Sequence, residues 1–103
     1  RKNLEFTRLA QDSRILKRDV MTALRELEGD AAFDYIFMDP PYGCNLERQV
    51  LEYLAGSSLL EEDGTVIVEA SLDTSFDYAP SLGFGVQKIK EYKTNAHVWL
   101  ERV

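Results

Sequence analysis

The hexapeptide Phe33-Asp34-Tyr35-Ile36-Phe37-Met38 constrains the fold more than any other part of this chain. After its first two residues it is apolar on both faces. That suits a strand buried in a parallel sheet better than one with a solvated face. It ends at Asp39-Pro40-Pro41-Tyr42-Gly43. Two successive prolines remove two amide donors and forbid continuation of a hydrogen-bonded ladder. Gly64-Thr65-Val66-Ile67-Val68-Glu69-Ala70 has the same buried character. Between the two runs, Asn45 can cap a helix from Leu46 to about Ala55, with Leu46, Val50, Leu51 and Leu54 on one face.

The flanking segments continue the alternation. Arg1 to about Ala10 reads as the end of a helix. Arg14-Ile15-Leu16-Lys17-Arg18 is a short strand candidate. Val20, Ala23, Leu24 and Leu27 then recur at helical spacing up to Glu28, and Gly29-Asp30 ends that helix. A short helical segment near Phe76 to Leu82 is closed by Gly83. Phe84 to Tyr92 and Asn95 to Arg102 alternate like an antiparallel pair around Lys93-Thr94-Asn95. Strands alternating with helices, without repeat or linker, define an α/β layered sheet.

Composition narrows the function classes. The chain has 103 residues, 45% hydrophobic and 29% charged, which is globular and no larger than one domain. No apolar run reaches the roughly 18 residues of a membrane helix. The opening Arg1-Lys2-Asn3-Leu4-Glu5-Phe6 has the pattern of neither a signal peptide nor a natural start. The single Cys44 forms no internal disulfide, as expected of a cytoplasmic protein. No metal site is expected. Net charge is −6, which argues against broad non-specific nucleic-acid binding. Residues 1–18 nevertheless hold six basic and two acidic side chains, leaving room for a local phosphate contact.

Asp39-Pro40-Pro41-Tyr42 closes a buried strand at the edge where open α/β sheets bind ligands. The prolines stiffen the turn and fix the directions of two acceptors, the Asp39 side chain and the Pro40 carbonyl. Two fixed acceptors can hold an exocyclic NH2 group by both hydrogens. Tyr42 offers a flat face on which a planar base can stack. Such an amine is a poor nucleophile because its lone pair is delocalised into the ring. Acceptors out of the ring plane favour a more tetrahedral nitrogen, which can attack a sulfonium methyl in line. The rate then comes from positioning and electrostatics. A paired base must first be swung out of its helix.

The segment Phe33 to Tyr42 resembles the catalytic motif of the S-adenosylmethionine-dependent amino-methyltransferases, the DPPY enzymes. Arg14 to Leu27, Val66 to Ala70, and Lys90-Glu91-Tyr92-Lys93-Thr94-Asn95 are similar to the bacterial family that methylates N2 of one guanine in small-subunit ribosomal RNA. The resemblance implies a Rossmann-like methyltransferase sheet, mostly parallel with a C-terminal antiparallel hairpin. It implies S-adenosyl-L-methionine as cofactor and ribosomal RNA or a small-subunit particle as partner. It also assigns residues: Asp39, Pro40 and Tyr42 to catalysis, Pro41 and Tyr42 to the substrate, Asp19 and Val20 to the donor's adenine. Asp19 equally fits a helix N-cap, and Val20 a core position. Glu69, on the same edge as Asp39, reads as a buried hydrogen-bonded carboxylate or a substrate contact. Lone His97 reads as a structural or surface residue, and Lys90, Lys93 and Asn95 near the hairpin read as solvated polar groups, with RNA contacts as the alternative. Cys44 has no basic partner and the amine chemistry needs none.

Family members open with a strand leading into a glycine-rich loop that holds much of the donor. Among Gly29, Gly43, Gly56, Gly64, Gly83 and Gly85 no pair has that spacing at a strand-to-helix turn. Residues 1–103 therefore read as the C-terminal part of a single methyltransferase domain lacking its first two strands, inactive by itself. The strands flanking the gap, Arg14–Arg18 and Phe33–Met38, are then expected to close up side by side or to recruit a second chain through exposed edges. Two rivals remain: a DNA adenine or cytosine amino-methyltransferase, which shares the motif, and a non-catalytic α/β interaction module.

Overall fold

The structure, a computed structural model, describes residues 3–6, 13–28, 32–39 and 46–103. The strands are β1 (Asn3–Phe6), β2 (Phe33–Met38), β3 (Leu60–Ser71), β4 (Phe84–Glu91) and β5 (Asn95–Arg102). The helices are α1 (Ser13–Leu27) and α2 (Leu46–Ala55), with a short 3-10 helix at Ala79–Leu82. The strands form one sheet in the order β1-β2-β3-β5-β4. β1, β2 and β3 run parallel, and the β4–β5 hairpin joins through β5, antiparallel to β3.

The buried strand, the helix after it and the closing hairpin stand where the sequence puts them. α2 buries Leu46, Val50, Leu51 and Leu54, the face its spacing defines. The N-terminal quarter differs. Asn3–Phe6 is a strand, paired parallel with Tyr35 to Met38, where a helix end was expected. Its polar–apolar alternation, Asn-Leu-Glu-Phe, has the strand period. Arg14–Arg18, expected as a strand, is the first part of α1. The helical spacing that starts at Val20 extends back to Leu16, and Arg, Leu and Lys are good helix formers whereas only Ile15 in this stretch is β-branched. Asp19 accordingly lies inside α1, so neither the N-cap position nor a place just after a strand holds.

The sheet does close beside β2, with Asn3–Phe6 as the neighbour in place of Arg14–Arg18. β2 is paired on both sides, so it offers no open edge to a second chain. β4, at the end of the sheet, carries a register shift between Val86 and Lys88 together with exposed Lys88 and Lys90. A bulge and lysines are devices that discourage edge-to-edge pairing.

The two faces of the sheet are unlike. One carries Ile36, Met38, Val66, Val68, Ala70, Val98 and Leu100, all buried in one cluster with Val20 and Leu24 of α1 and the apolar face of α2. The other carries Tyr35, Phe37, Ile67, Glu69, His97 and Trp99, only half-buried.

A carboxylate ties the ends of the helices together. Glu28, just past α1, accepts hydrogen bonds from Tyr53 Oη at 2.8 Å and Ser57 Oγ at 2.6 Å. It also accepts them from the Ser58 amide at 3.2 Å and Ser58 Oγ at 3.0 Å. The bonds from Ser57 and Tyr53 do most to lower its pKa, from 4.5 to about 2. The folded-state pKa lies below the unfolded one. The stabilisation is therefore fully present above the unfolded carboxyl value and is lost as pH falls through about 2. Glu28→Gln should lower the urea midpoint at neutral pH, and the gap to wild type should narrow on acidification. A gap that stayed constant down to the acid limit would show that the charge on Glu28 contributes nothing.

Candidate active site

The carboxyl ends of β1, β2 and β3 share one edge, and antiparallel β5 begins there, with Asn95 opposite Ser71. Asp39 leaves β2 at this edge, half-buried. Met38 stands opposite Val68, so the next positions bring Asp39 beside Glu69, and their carboxyl groups share a hydrogen bond. Glu69 is in turn opposite His97, with Nε2 of the imidazole 3.6 Å from Glu69 Oε1. Asn95 Nδ2 donates to the same oxygen at 2.8 Å.

Aromatic rings surround the imidazole. Tyr92, Phe37 and Trp99 have centroids 4.9, 5.9 and 6.1 Å from that of His97, all edge-on. Lys90 lies 5.5 Å from the Tyr92 ring centre and Lys88 5.0 Å from that of Trp99. The edge thus combines two carboxyl groups, an imidazole, an amide and flat ring surfaces.

Two carboxyl oxygens approach to hydrogen-bond distance only when one carries a proton. The pKa of Glu69 is raised, first by its hydrogen bond with Asp39, then by burial and by the charge of Asp39; His97 acts in the opposite direction. Glu69 therefore keeps its proton to higher pH than an ordinary glutamate.

The structure unites Asp39 with Glu69, Asn95 and His97. Sequence reasoning took the last three singly, and mainly as structural groups. What joins them is the antiparallel pairing of β5 with β3, which sets Asn95 and His97 against Ser71 and Glu69; the Lys93-Thr94 turn fixes only the register of β5 with β4. Pro40, Pro41, Tyr42, Cys44 and Asn45 lie outside the described residues. Val20 is 4% exposed and packs in the core. Among the described residues, no helix is long and apolar enough to cross a membrane.

Three parallel strands continued by an antiparallel hairpin form a Rossmann-like sheet. The chain belongs to the family described as Conserved hypothetical protein 95, whose profile matches residues 1–100. A curated relative, ribosomal RNA small subunit methyltransferase D of Haemophilus influenzae, is 24% identical over 74 residues. That match takes in 71% of this chain but only 38% of the relative's length. A crystal structure described as a methylase of Haemophilus influenzae superposes on 99% of this chain and 73% of its own, at TM-score 0.65 and 17% identity. The ribosomal protein L11 methylase of Lactobacillus delbrueckii subsp. bulgaricus superposes on 98% of this chain and 58% of its own, at TM-score 0.62 and 18% identity. These two likenesses establish the fold.

Proposed function

We propose that the full-length protein transfers a methyl group from S-adenosyl-L-methionine to the exocyclic N2 amine of a guanine in small-subunit ribosomal RNA, in the cytoplasm. The observation that carries this is the place of Asp39. It is the residue that closes a buried strand at the ligand-binding edge of a methyltransferase sheet, in the sequence Asp39-Pro40-Pro41-Tyr42. The choice of a ribosomal RNA guanine rests on the family resemblance, which the match to small subunit methyltransferase D supports.

The chemistry of the edge suits a planar base that carries an amine. Such a base finds an acceptor at Asp39 and ring surfaces at Phe37 and Tyr92. When bound, S-adenosyl-L-methionine supplies a methyl group on a sulfonium centre. Asp39 and the Pro40 carbonyl accept the two hydrogens of the target amine and turn its lone pair out of the ring. Pro41 holds the turn, and Tyr42 stacks on the base. The resemblance gives Asp19 and Val20 to the donor's adenine, but Asp19 lies inside α1 and Val20 is buried in the core, so the donor-side reading here does not rest on them.

The test is transfer of labelled methyl to small-subunit particles and to free ribosomal RNA lacking the modification, followed by nucleoside analysis. Label in N2-methylguanosine is expected. Label appearing instead in N6-methyladenine or N4-methylcytosine of DNA would replace this assignment with a DNA amino-methyltransferase. No transfer to any nucleic acid, with no donor binding by calorimetry, would leave the interaction module.

Tyr42 gives a second check. Stacking uses the ring face and not the hydroxyl, so Tyr42→Phe should be mild. Tyr42→Ala should lower kcat/KM by about 5- to 150-fold, the equivalent of roughly 1–3 kcal/mol of base stacking. Equal defects in the two variants would assign a role to the hydroxyl instead.

A further inference from the structure

Asp39 sits at the end of a strand, where the next two residues are prolines. A carboxylate in that position has freedom about two side-chain torsions, and its catalytic use depends on the direction of its oxygens. The prolines restrain the backbone, but something else must restrain the side chain. Glu69 is in place to do so. It projects from the neighbouring strand onto the same half-open face, and its carboxyl group is hydrogen-bonded to that of Asp39. It is itself held from the far side. Asn95 Nδ2 donates to Oε1 at 2.8 Å, and His97 Nε2 lies 3.6 Å from the same atom. The His97 ring is packed against Phe37, Tyr92 and Trp99.

The chain of contacts is therefore directional. The aromatic rings seat the imidazole, and the imidazole and Asn95 hold Oε1 of Glu69 where the β2–β3 register sets this residue beside Asp39. We propose that Glu69 is a positioning residue for methyl transfer, its carboxyl O–H donating to Asp39 the hydrogen bond that aims the remaining Asp39 oxygen at the target amine. This rests on the functional assignment above and adds to it a residue on a different strand. It also gives a reason for the His97 cluster, which otherwise lines the open face without a task.

A consequence in pH follows. Among the described residues, the charged and titratable groups facing Glu69 are Asp39 from the end of β2 and His97 from β5, while Lys90 of β4 stands opposite His97 one strand further out. The described helices pack on the other face of the sheet. The pKa of Glu69 is raised by Asp39. As pH rises through that raised value the proton is lost, two carboxylates face each other, and Asp39 is pushed from its aim. The kcat of the wild type should therefore fall along an alkaline limb set by Glu69.

The experiment compares kcat and KM across pH for wild type, Glu69→Gln and Glu69→Ala in the full-length protein. Asp39→Ala serves as the control. Glutamine donates an N–H in place of the O–H and does not titrate. Glu69→Gln should keep most of the wild-type kcat at the acid end and lose the alkaline limb. Glu69→Ala should lower kcat by about 10- to 100-fold at the acid end, the cost of a misaimed group, with the gap to wild type closing along the alkaline limb and KM for the donor little changed. A purely structural role would reduce both variants alike and leave the shape of the profile intact, and that result overturns the proposal.

A second readout needs no turnover. In 13C-detected carboxyl titration, Glu69 should move down towards an ordinary glutamate in Asp39→Ala; an unmoved Glu69 also overturns the proposal. If Asp39→Ala is inactive while both Glu69 variants match wild type, the positioning role fails and the function stands. If wild type transfers no methyl, the function fails and the kinetic role with it, whatever the titration shows of the pair.

Discussion

Asp39→Ala in the full-length protein should reduce methyl transfer by about 100-fold or more while donor affinity stays within about threefold of wild type. The reason lies in what the residue is asked to do. The target amine is conjugated with its ring, and its lone pair becomes available only as the nitrogen moves towards a tetrahedral geometry. An acceptor fixed out of the ring plane stabilises that geometry and the charge that grows on the nitrogen, and does so more in the transition state than in the ground state. Such a contact acts on kcat and only weakly on binding. Asp39→Asn retains one carbonyl acceptor and should fall between alanine and wild type. The measurement is single-turnover transfer with labelled donor, beside calorimetry of donor binding on the same variants. Transfer by Asp39→Ala within a few-fold of wild type would remove Asp39 from the chemistry. A parallel collapse of donor binding would move it to the cofactor side.

Asp39 was legible in the sequence because its neighbours are unambiguous. An apolar strand stopped by two prolines can end in few ways, and the edge where it ends is the ligand-binding edge of any open α/β sheet. The same clarity holds for α2, whose four core residues recur at helical spacing, and for the closing hairpin. Arg14–Arg18 was not legible. Five residues with one β-branched member fit a short strand as well as a first helical turn, and the outcome was decided by continuity with Val20 to Leu27. Nor was Asn3–Phe6, since four alternating residues compete with a helical reading of the longer stretch around them. The Glu69–His97 contact was hidden for a different reason. It joins residues 28 positions apart, through a register that depends on the pairing of β5 with β3. Neither residue type, taken alone, distinguishes a surface group from a member of a site.

Phe84→Ala should destabilise the chain by about 3–5 kcal/mol, the range for truncating a fully buried aromatic. Phe84 is 0% exposed and heads the largest fully buried side chains. Its setting leaves little room for collapse around a cavity. Gly83, just before it, ends the 3-10 helix at φ 87°, in the left-handed region that glycine occupies without strain. That turn directs Phe84 under the sheet. The Gly83 carbonyl accepts the Val103 amide at 2.9 Å, so the chain end is tied to the same point. Above the ring, the Arg102 guanidinium stands 5.6 Å from the centroid. It is held there by Nη2 donating to the Ser57 and Leu60 carbonyls, each at 3.1 Å. Removing the ring therefore costs burial, leaves a void bounded by tethered groups, and takes from Arg102 the surface it covers. Domains of this size have a total stability of about 5–15 kcal/mol, so the loss is a fifth of it or more. The comparison that isolates packing from strand propensity is Ile89→Ala on the same strand. Ile89 is 56% exposed, and its truncation should change stability by no more than about 0.5 kcal/mol. Both are read as urea unfolding midpoints with the slope checked for constancy. A Phe84→Ala cost as small as that of Ile89→Ala would mean that β4 contributes its edge to the sheet but nothing to the core.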